Sequence, residues 1–485
     1  MKKATLIFVC IILSILSVPS FACVDKITRR SAYEIICQLD DDFSIWGKEK
    51  VTFYNDEDVT INHLKFNLYP NAFRKDAKYS PISAQYQSNA YPNGKSYGDI
   101  EIIGVTQGGN TLEFDIQGQD KNVLNVNLLK EIYPDESVTI EIEFKINLAC
   151  VIARTGYNDD TINLGNFYPI LCVYEDGDFY ECLYYANGDP FYSECADYKV
   201  EVTLNKEYVL AGGGKKTLMT TKNDLTTHVF KLQNARSFAL VASKKFNHLT
   251  QVLDGVMVNY YYFKDQNPSD SFNYIKESLS YFSKTFGDYA YSDYTVVETP
   301  FVQGGMEYPT LVMISDKLEP SAYGEVIVHE TAHQWWQTAV GNNEIENAFM
   351  DEGLTEYSVV LFYENHPHYG MTREKMIRSA EQTYKTYCSV YDKIFGGVNT
   401  KMLRRLDEFE SEYEYVNVAY IKGCIMFDYL RQTIGDLRFF SGLKRYYNTY
   451  KYKIATPYDL VGAFEKIGAD SNGFFESFYQ GKVII

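Results

Sequence analysis

The stretch Val328-His329-Glu330-Thr331-Ala332-His333-Gln334-Trp335-Trp336 limits this chain more than any other. It holds H-E-x-x-H, and residues i and i+4 share one face of an α-helix. His329 and His333 can therefore reach one Zn²⁺, with Glu330 beside a water the metal activates. The flanks support a helix, with a start signal at Pro320-Ser321 and a stop at Gly341-Asn342. Between them, Val326, Ile327, Thr331, Ala332, Trp335 and Trp336 give it apolar surface to bury.

A catalytic zinc needs three protein ligands and one open position. Eighteen residues separate His333 from Glu352, in Met350-Asp351-Glu352-Gly353-Leu354-Thr355-Glu356-Tyr357. This segment reads as the start of a second helix running to about residue 365. Laid beside the first, it completes a His₂Glu site of His329, His333 and Glu352, with one Zn²⁺ per chain. Glu330, which is not a ligand, is then the general base. Glu356 lies one turn beyond Glu352 and is a candidate to orient His329 or His333 through the outer imidazole nitrogen. His366 and His368 follow the helix and read as loop residues, not ligands.

Two further segments extend the pattern. Gly304-Gly305-Met306-Glu307-Tyr308-Pro309 lies upstream, and Tyr420-Ile421-Lys422-Gly423 downstream. Together with H-E-x-x-H, the 18-residue spacing and the D-E-G triplet, they resemble the aminopeptidase N family of gluzincin peptidases, which includes leukotriene hydrolase. The order of the features is also the family's. The resemblance implies that Glu307 binds the free α-amino group of a peptide. It implies that Tyr420 donates a hydrogen bond to the tetrahedral oxyanion, while Gly304, Gly305 and Met306 support the peptide. Tyr308 departs from the family's asparagine. No residue of the N-terminal domain can be matched to the one that helps hold the amine in the larger relatives. The chain is expected to be a short form that lacks their C-terminal helical domain, which leaves a more open cleft.

Composition bounds the rest. The 485 residues, 46% hydrophobic and 23% charged, suffice for two or three domains. A net charge of −18 without a lysine or arginine cluster argues against nucleic acid and anionic membrane as partners. Residues 1–22 read as a signal peptide: Lys2 and Lys3, a short apolar run, then Ser20-Phe21-Ala22. The protein is therefore expected to be secreted or extracytoplasmic. A lipid on Cys23 or an uncleaved signal anchor would be its only tie to a membrane. Cys172 and Cys182 flank a hairpin-like turn across which a disulfide could form, and the sequence leaves the cysteine pairing open.

The expected fold class is α+β and multidomain. Residues 23–243 alternate apolar and polar side chains in short runs, such as 138–144 and 198–204, and read as an antiparallel β saddle or sandwich. Residues 244–485 read as a thermolysin-like, mostly helical zinc peptidase domain. Strands are expected at 256–263, 294–298 and 310–315, and helices at 269–286, 372–391, 413–433 and 436–450, with another opened by Thr456-Pro457. The segment around Glu307 is expected as an edge strand lining the cleft, where an extended peptide adds as a further strand. The reading is a zinc-dependent aminopeptidase acting on peptides with a free N-terminus. The alternatives are a zinc endopeptidase with an open cleft and a peptide-binding protein with a degenerate peptidase domain.

Overall fold

The computed structural model describes residues 30–483. The signal-like residues 1–22 and Cys23 lie outside the described residues. Strand alternation builds the first half. In Ser137–Asn147, Val138, Ile140, Ile142, Phe144 and Ile146 point inward, and the strand pairs along its whole length with Ser44–Tyr54. These two strands sit in an eight-stranded sheet that packs with two four-stranded sheets around one apolar core. The expected all-antiparallel order fails at one pairing: Ala32–Leu39 runs parallel to Ala196–Asn205. The long stretch of chain between them permits that crossover, which a hairpin could not make.

The second half opens on a five-stranded sheet. Its order is Asn247–Leu253, Val256–Tyr262, Asp293–Thr299, Leu311–Ser315 and Gly305–Met306. The helix Pro268–Phe286 makes the crossover between the second and third strands, which run parallel. Gly305–Met306 is a two-residue edge strand, antiparallel to Leu311–Ser315. The turn between the last two contains Thr310 at φ +62°, a conformation that costs a β-branched residue about 1–3 kcal/mol. Three bonds hold it there. Its N–H donates to Gln334 Oε1 (2.9 Å), its Oγ1 accepts from Gly214 N–H (2.6 Å), and Gln334 Nε2 donates to Tyr308 O (3.2 Å). Both halves of the chain thus fix the turn that carries Glu307.

The first motif helix spans Pro320–Ala332, with His333 as its C-cap, and does not run to Gly341. Tertiary bonds end it. The indole of Trp335 donates to Gly287 O (2.8 Å) and that of Trp336 to Ser358 Oγ (3.0 Å), while Gln337 takes φ +96°. Both tryptophans are buried, but from a turn rather than from the helix face. The second motif helix spans Phe349–Asn365. The expected helix over 413–433 is three pieces: Glu412–Tyr415, a wide five-residue-turn segment Val416–Ile421, and Lys422–Ile434.

The second motif helix and Lys422–Ile434 cross at Gly353 and Gly423. A Cβ on Gly353 would lie 2.7 Å from Gly423 Cα, and one on Gly423 would lie 2.6 Å from Gly353 Cα. No side chain fits between these backbones. Elsewhere, Cys172 and Cys182 are both buried free thiols. Hydrogen bonds to one strand tie down both backbones: Cys172 N–H donates to Lys65 O (2.9 Å) and Cys182 N–H to Asn67 Oδ1 (3.1 Å). Among the described residues, no helix is long and apolar enough to cross a membrane.

Gly423→Ala is expected to force the two helices apart and to destabilise the protein by about 1–3 kcal/mol, the usual penalty for overpacking. Thermal melts would read this as a drop of several degrees. A melting temperature within one degree of the parent would show that the crossing is not tight.

Candidate active site

Three ligand atoms converge where the two motif helices meet. His329 Nε2 and His333 Nε2 are 3.1 Å apart, and Glu352 Oε2 lies 3.4 Å from the first and 3.2 Å from the second. Tetrahedral zinc with bonds of about 2.0–2.1 Å sets its ligands about 3.3 Å apart. The residues therefore fit the ion. The outer nitrogens are engaged as metal-bound imidazoles require. His329 Nδ1–H donates to Glu356 Oε2 (3.1 Å), and His333 Nδ1 lies 3.2 Å from both Trp336 O and Thr355 Oγ1. Each histidine thus turns Nε2 toward the shared metal position.

Glu330 follows His329 on the helix, is 5% exposed, and has one carboxylate oxygen with no hydrogen-bond partner among the described residues. It presses against the edge strand so closely that a Cβ on Gly305 would lie 2.3 Å from Glu330 Oε1. Glycine is needed there for space. Gly304 is free of this constraint, and its carbonyl accepts from Ser315 N–H (2.9 Å). Tyr420 donates to Glu352 Oε1 (2.5 Å), the oxygen turned away from the histidines, and its ring stacks on His329 at 5.9 Å.

Gly304, Gly305, His329, Glu330, Glu356 and Tyr420 line one cleft of about 420 Å³. Glu307 and Met306 do not. They line a small cavity behind the edge strand, with Glu307 4% exposed and its Oε1 unpartnered among the described residues. Glu307 still lies near the metal ligands, its carboxylate within 4.8 Å of ligand atoms of Glu330 and His333.

The structure adds two residues from the β-rich half that the sequence reading missed. Asp189 lines the cleft and forms a buried ion pair with Arg154. Arg154 also donates to Met306 Sδ (3.1 Å) and to Gly188 O (3.4 Å). The sequence signal for Asp189, Asn187-Gly188-Asp189-Pro190, reads as a turn and nothing more. Arg154 has no local signal at all.

Charge is unevenly balanced in this site. Burial raises Glu330 to about 7, against the pull of both histidines. Burial opposes charge on Glu352 too, but His333 and His329 outweigh it and hold the carboxylate down at about 2. Burial lowers His333, yet Glu307 and Glu352 outweigh it and lift the imidazole to about 10. His329 is lifted well above its ordinary value by Glu352 and Glu356, again against burial. Burial, then the charge of Glu352, pushes the Tyr420 phenol well above its ordinary value, so it stays a donor. The surrounding carboxylates thus favour positive charge at the two histidines.

Comparison with known proteins agrees with this geometry. Residues 271–478 match the peptidase family M1 domain. Leukotriene A-4 hydrolase of Xenopus laevis is 27% identical over 194 residues, covering 37% of this chain and 30% of that protein. Aminopeptidase B of Rattus norvegicus is 28% identical over 225 residues, covering 42% of this chain and 33% of that one. The matches thus span about a third of these relatives' length. An M1 zinc metallopeptidase from Deinococcus radiodurans has the same fold, at TM-score 0.67 and 16% identity over 94% of this chain and 95% of that one. A mutant of an M1 zinc metallopeptidase from that organism, bound to a Tyr-Ser-Ala substrate, superposes at TM-score 0.65 and 16% identity, covering 94% of this chain and 96% of that one.

Because carboxylates raise both imidazoles, zinc binding is expected to displace protons from His329 and His333. Binding at pH 7 is expected to release about two protons per ion, against about half a proton for two histidines of ordinary pKa. Titration calorimetry of the metal-free protein in buffers of different ionisation enthalpy measures this number. Release of half a proton would show that the carboxylates do not hold the histidines charged.

Proposed function

We propose, from the match of residues 271–478 to the peptidase family M1 domain, that this chain is a zinc-dependent aminopeptidase. The observation that carries the reading is the placing of two carboxylates, Glu307 and Asp189, beside a convergent His₂Glu cluster. An entering ammonium meets Asp189 at the cleft wall, and Glu307 lies behind the edge strand with an unpaired oxygen. The chain of a substrate running on past that point would meet buried charge, so the pocket favours a free N-terminus.

The peptide lies along Gly304 and Gly305, adding as a strand to the free edge of the five-stranded sheet. His329, His333 and Glu352 would hold the zinc. When bound, it would supply the Lewis acidity that polarises a peptide carbonyl and eases deprotonation of a water. Glu330 takes the proton of the attacking water and returns it to the leaving amine. Its raised pKa suits both transfers near neutrality. Tyr420 presents its O–H beside the metal position and donates to the oxyanion that develops there. Glu356 fixes the ring of His329. The relatives named leukotriene A-4 hydrolase and aminopeptidase B match 37% and 42% of this chain, and the peptide-bound bacterial structure shares its fold. Residues 1–22 place the enzyme outside the cytoplasm in this reading.

Glu330→Gln is expected to keep one zinc per chain and to lose about 10²–10⁴-fold in kcat on aminoacyl-naphthylamides. Zinc content by elemental analysis and the turnover rate test it together, and full turnover in that variant would sink the mechanism. Glu307→Gln is expected to cut kcat/KM for free-amine peptides by about ten- to a hundredfold, the worth of a charged hydrogen bond. Matched N-acetyl peptides should be resistant to the parent enzyme. Chelator-sensitive cleavage of the acetylated peptides would replace the aminopeptidase with an endopeptidase.

A further inference from the structure

Behind the edge strand lies a second cluster, of which the proposed reaction uses Glu307 alone. The carboxylates of Glu307, Glu344 and Asp351 approach one another within 4.8 Å, and all three residues are at most 4% exposed. They come from three elements: the edge-strand turn, the short helix Glu344–Asn347 and the second motif helix. Glu307 Oε1 and Glu344 Oε2 have no hydrogen-bond partner among the described residues. Asp351 accepts one bond, from Asn342 Nδ2 (2.9 Å). A fourth group comes from the β-rich half. Asn166 is 2% exposed, takes φ +49°, and lines the same small cavity as Glu307 and Glu344, with neither side-chain atom partnered among the described residues.

Three carboxylates cannot be buried together without a compensating positive charge or protonation. The guanidinium of Arg236, which lines this cavity, brings one positive charge and cannot alone supply it for three carboxylates. Arg236 spends its N–H groups on the backbone carbonyls of Gln337, Ser193 and Lys453. A substrate ammonium does not supply it either, because Glu344 and Asp351 do not line the cleft.

We propose that Glu307, Glu344 and Asp351, with the amide oxygen of Asn166, form an oxygen cage for one hard divalent cation of calcium's size. The donor set is all oxygen and lacks histidine and cysteine, so it selects against zinc. Calcium bonds of about 2.3–2.6 Å allow ligand oxygens up to about 5 Å apart, and all-protein cages of carboxylates and amides are typical of calcium. Magnesium demands a tighter octahedron and keeps waters. A cation there joins the edge-strand turn to the second motif helix and sets the position of Glu307. Only that consequence rests on the aminopeptidase reading; the binding itself does not.

The test is calcium titration of the zinc-loaded full chain by calorimetry, with magnesium as control, and Tb³⁺ luminescence as a second probe. One calcium per chain is expected, together with Tb³⁺ emission sensitised through the adjacent Tyr308. Glu344→Gln should weaken calcium by roughly tenfold or more and Asn166→Ala by roughly threefold, both with zinc content unchanged. If Glu344→Gln does not fold, the Asn166→Ala variant decides. No calcium-specific heat with the parent protein, or equal calcium affinity in the folded variants, overturns the cage. Peptide hydrolysis is not the readout, so failure of the cage and failure of the aminopeptidase reading are told apart.

Discussion

Two glycines in backbone contact set the geometry on which the site depends. Gly353 follows the zinc-ligand candidate Glu352, and Gly423 lies three residues after Tyr420. Their contact lets one helix lie against the other closely enough for the Tyr420 phenol to reach Glu352. The wide-turn segment Val416–Ile421 leads into this crossing and carries Tyr420. Such segments are rare and concentrate at functional sites. Lys422 faces the other way, fully buried, with its ammonium donating to Thr400 O (2.6 Å) and Phe478 O (3.4 Å). It clamps the helix from behind against the last described helix, Asn472–Tyr479. Each fixed position of Tyr420-Ile421-Lys422-Gly423 thus has its own mechanical reason.

Much of the site was legible in the sequence because its signals are local. The i, i+4 histidines share a helix face, and Glu352 and Glu356 share the next helix, so one turn places Glu356 on His329 Nδ1. What stayed hidden depends on contacts distant in the chain. The motif helix stops at Ala332 because Trp335 and Trp336 bond to Gly287 and Ser358, which periodicity around the tryptophans cannot reveal. Asp189 looks like any turn aspartate until Arg154 and the cleft lie beside it. The depth of Glu307 follows from how the edge strand packs, and no local pattern encodes that.

Tyr308 shows the same division. It stands where the related motif has asparagine, and the sequence offers no reason. In the structure its ring lies directly on Gly165, where a Cβ would come within 2.0 Å of the phenol oxygen. Gly165 belongs to the strand Ile162–Gly165 of the β-rich half. A bulky residue on one side and an absent side chain on the other are two halves of one contact. The turn holding Glu307 keeps its place by borrowing space from the facing strand.

The charges of the site argue for what it is built to receive. Near the zinc position, Glu307, Glu330, Glu352 and Asp189 are buried, and the Arg154 guanidinium pairs with one of them. With Glu330 ionised as a base, three negative charges are left over. A divalent metal and one substrate ammonium bring three positive charges, so the loaded site is neutral. Deeper in, Glu344 and Asp351 add two more carboxylates, and the proposed cation balances them. Because Arg154 already balances Asp189, that residue gives an approaching ammonium direction more than net attraction. Glu307 has no such arginine partner, and in the proposed reading it is the carboxylate that attracts the ammonium. Buried charge is tolerated when it is paired, and here the pairing is divided between the protein's own arginine and the ligands it awaits.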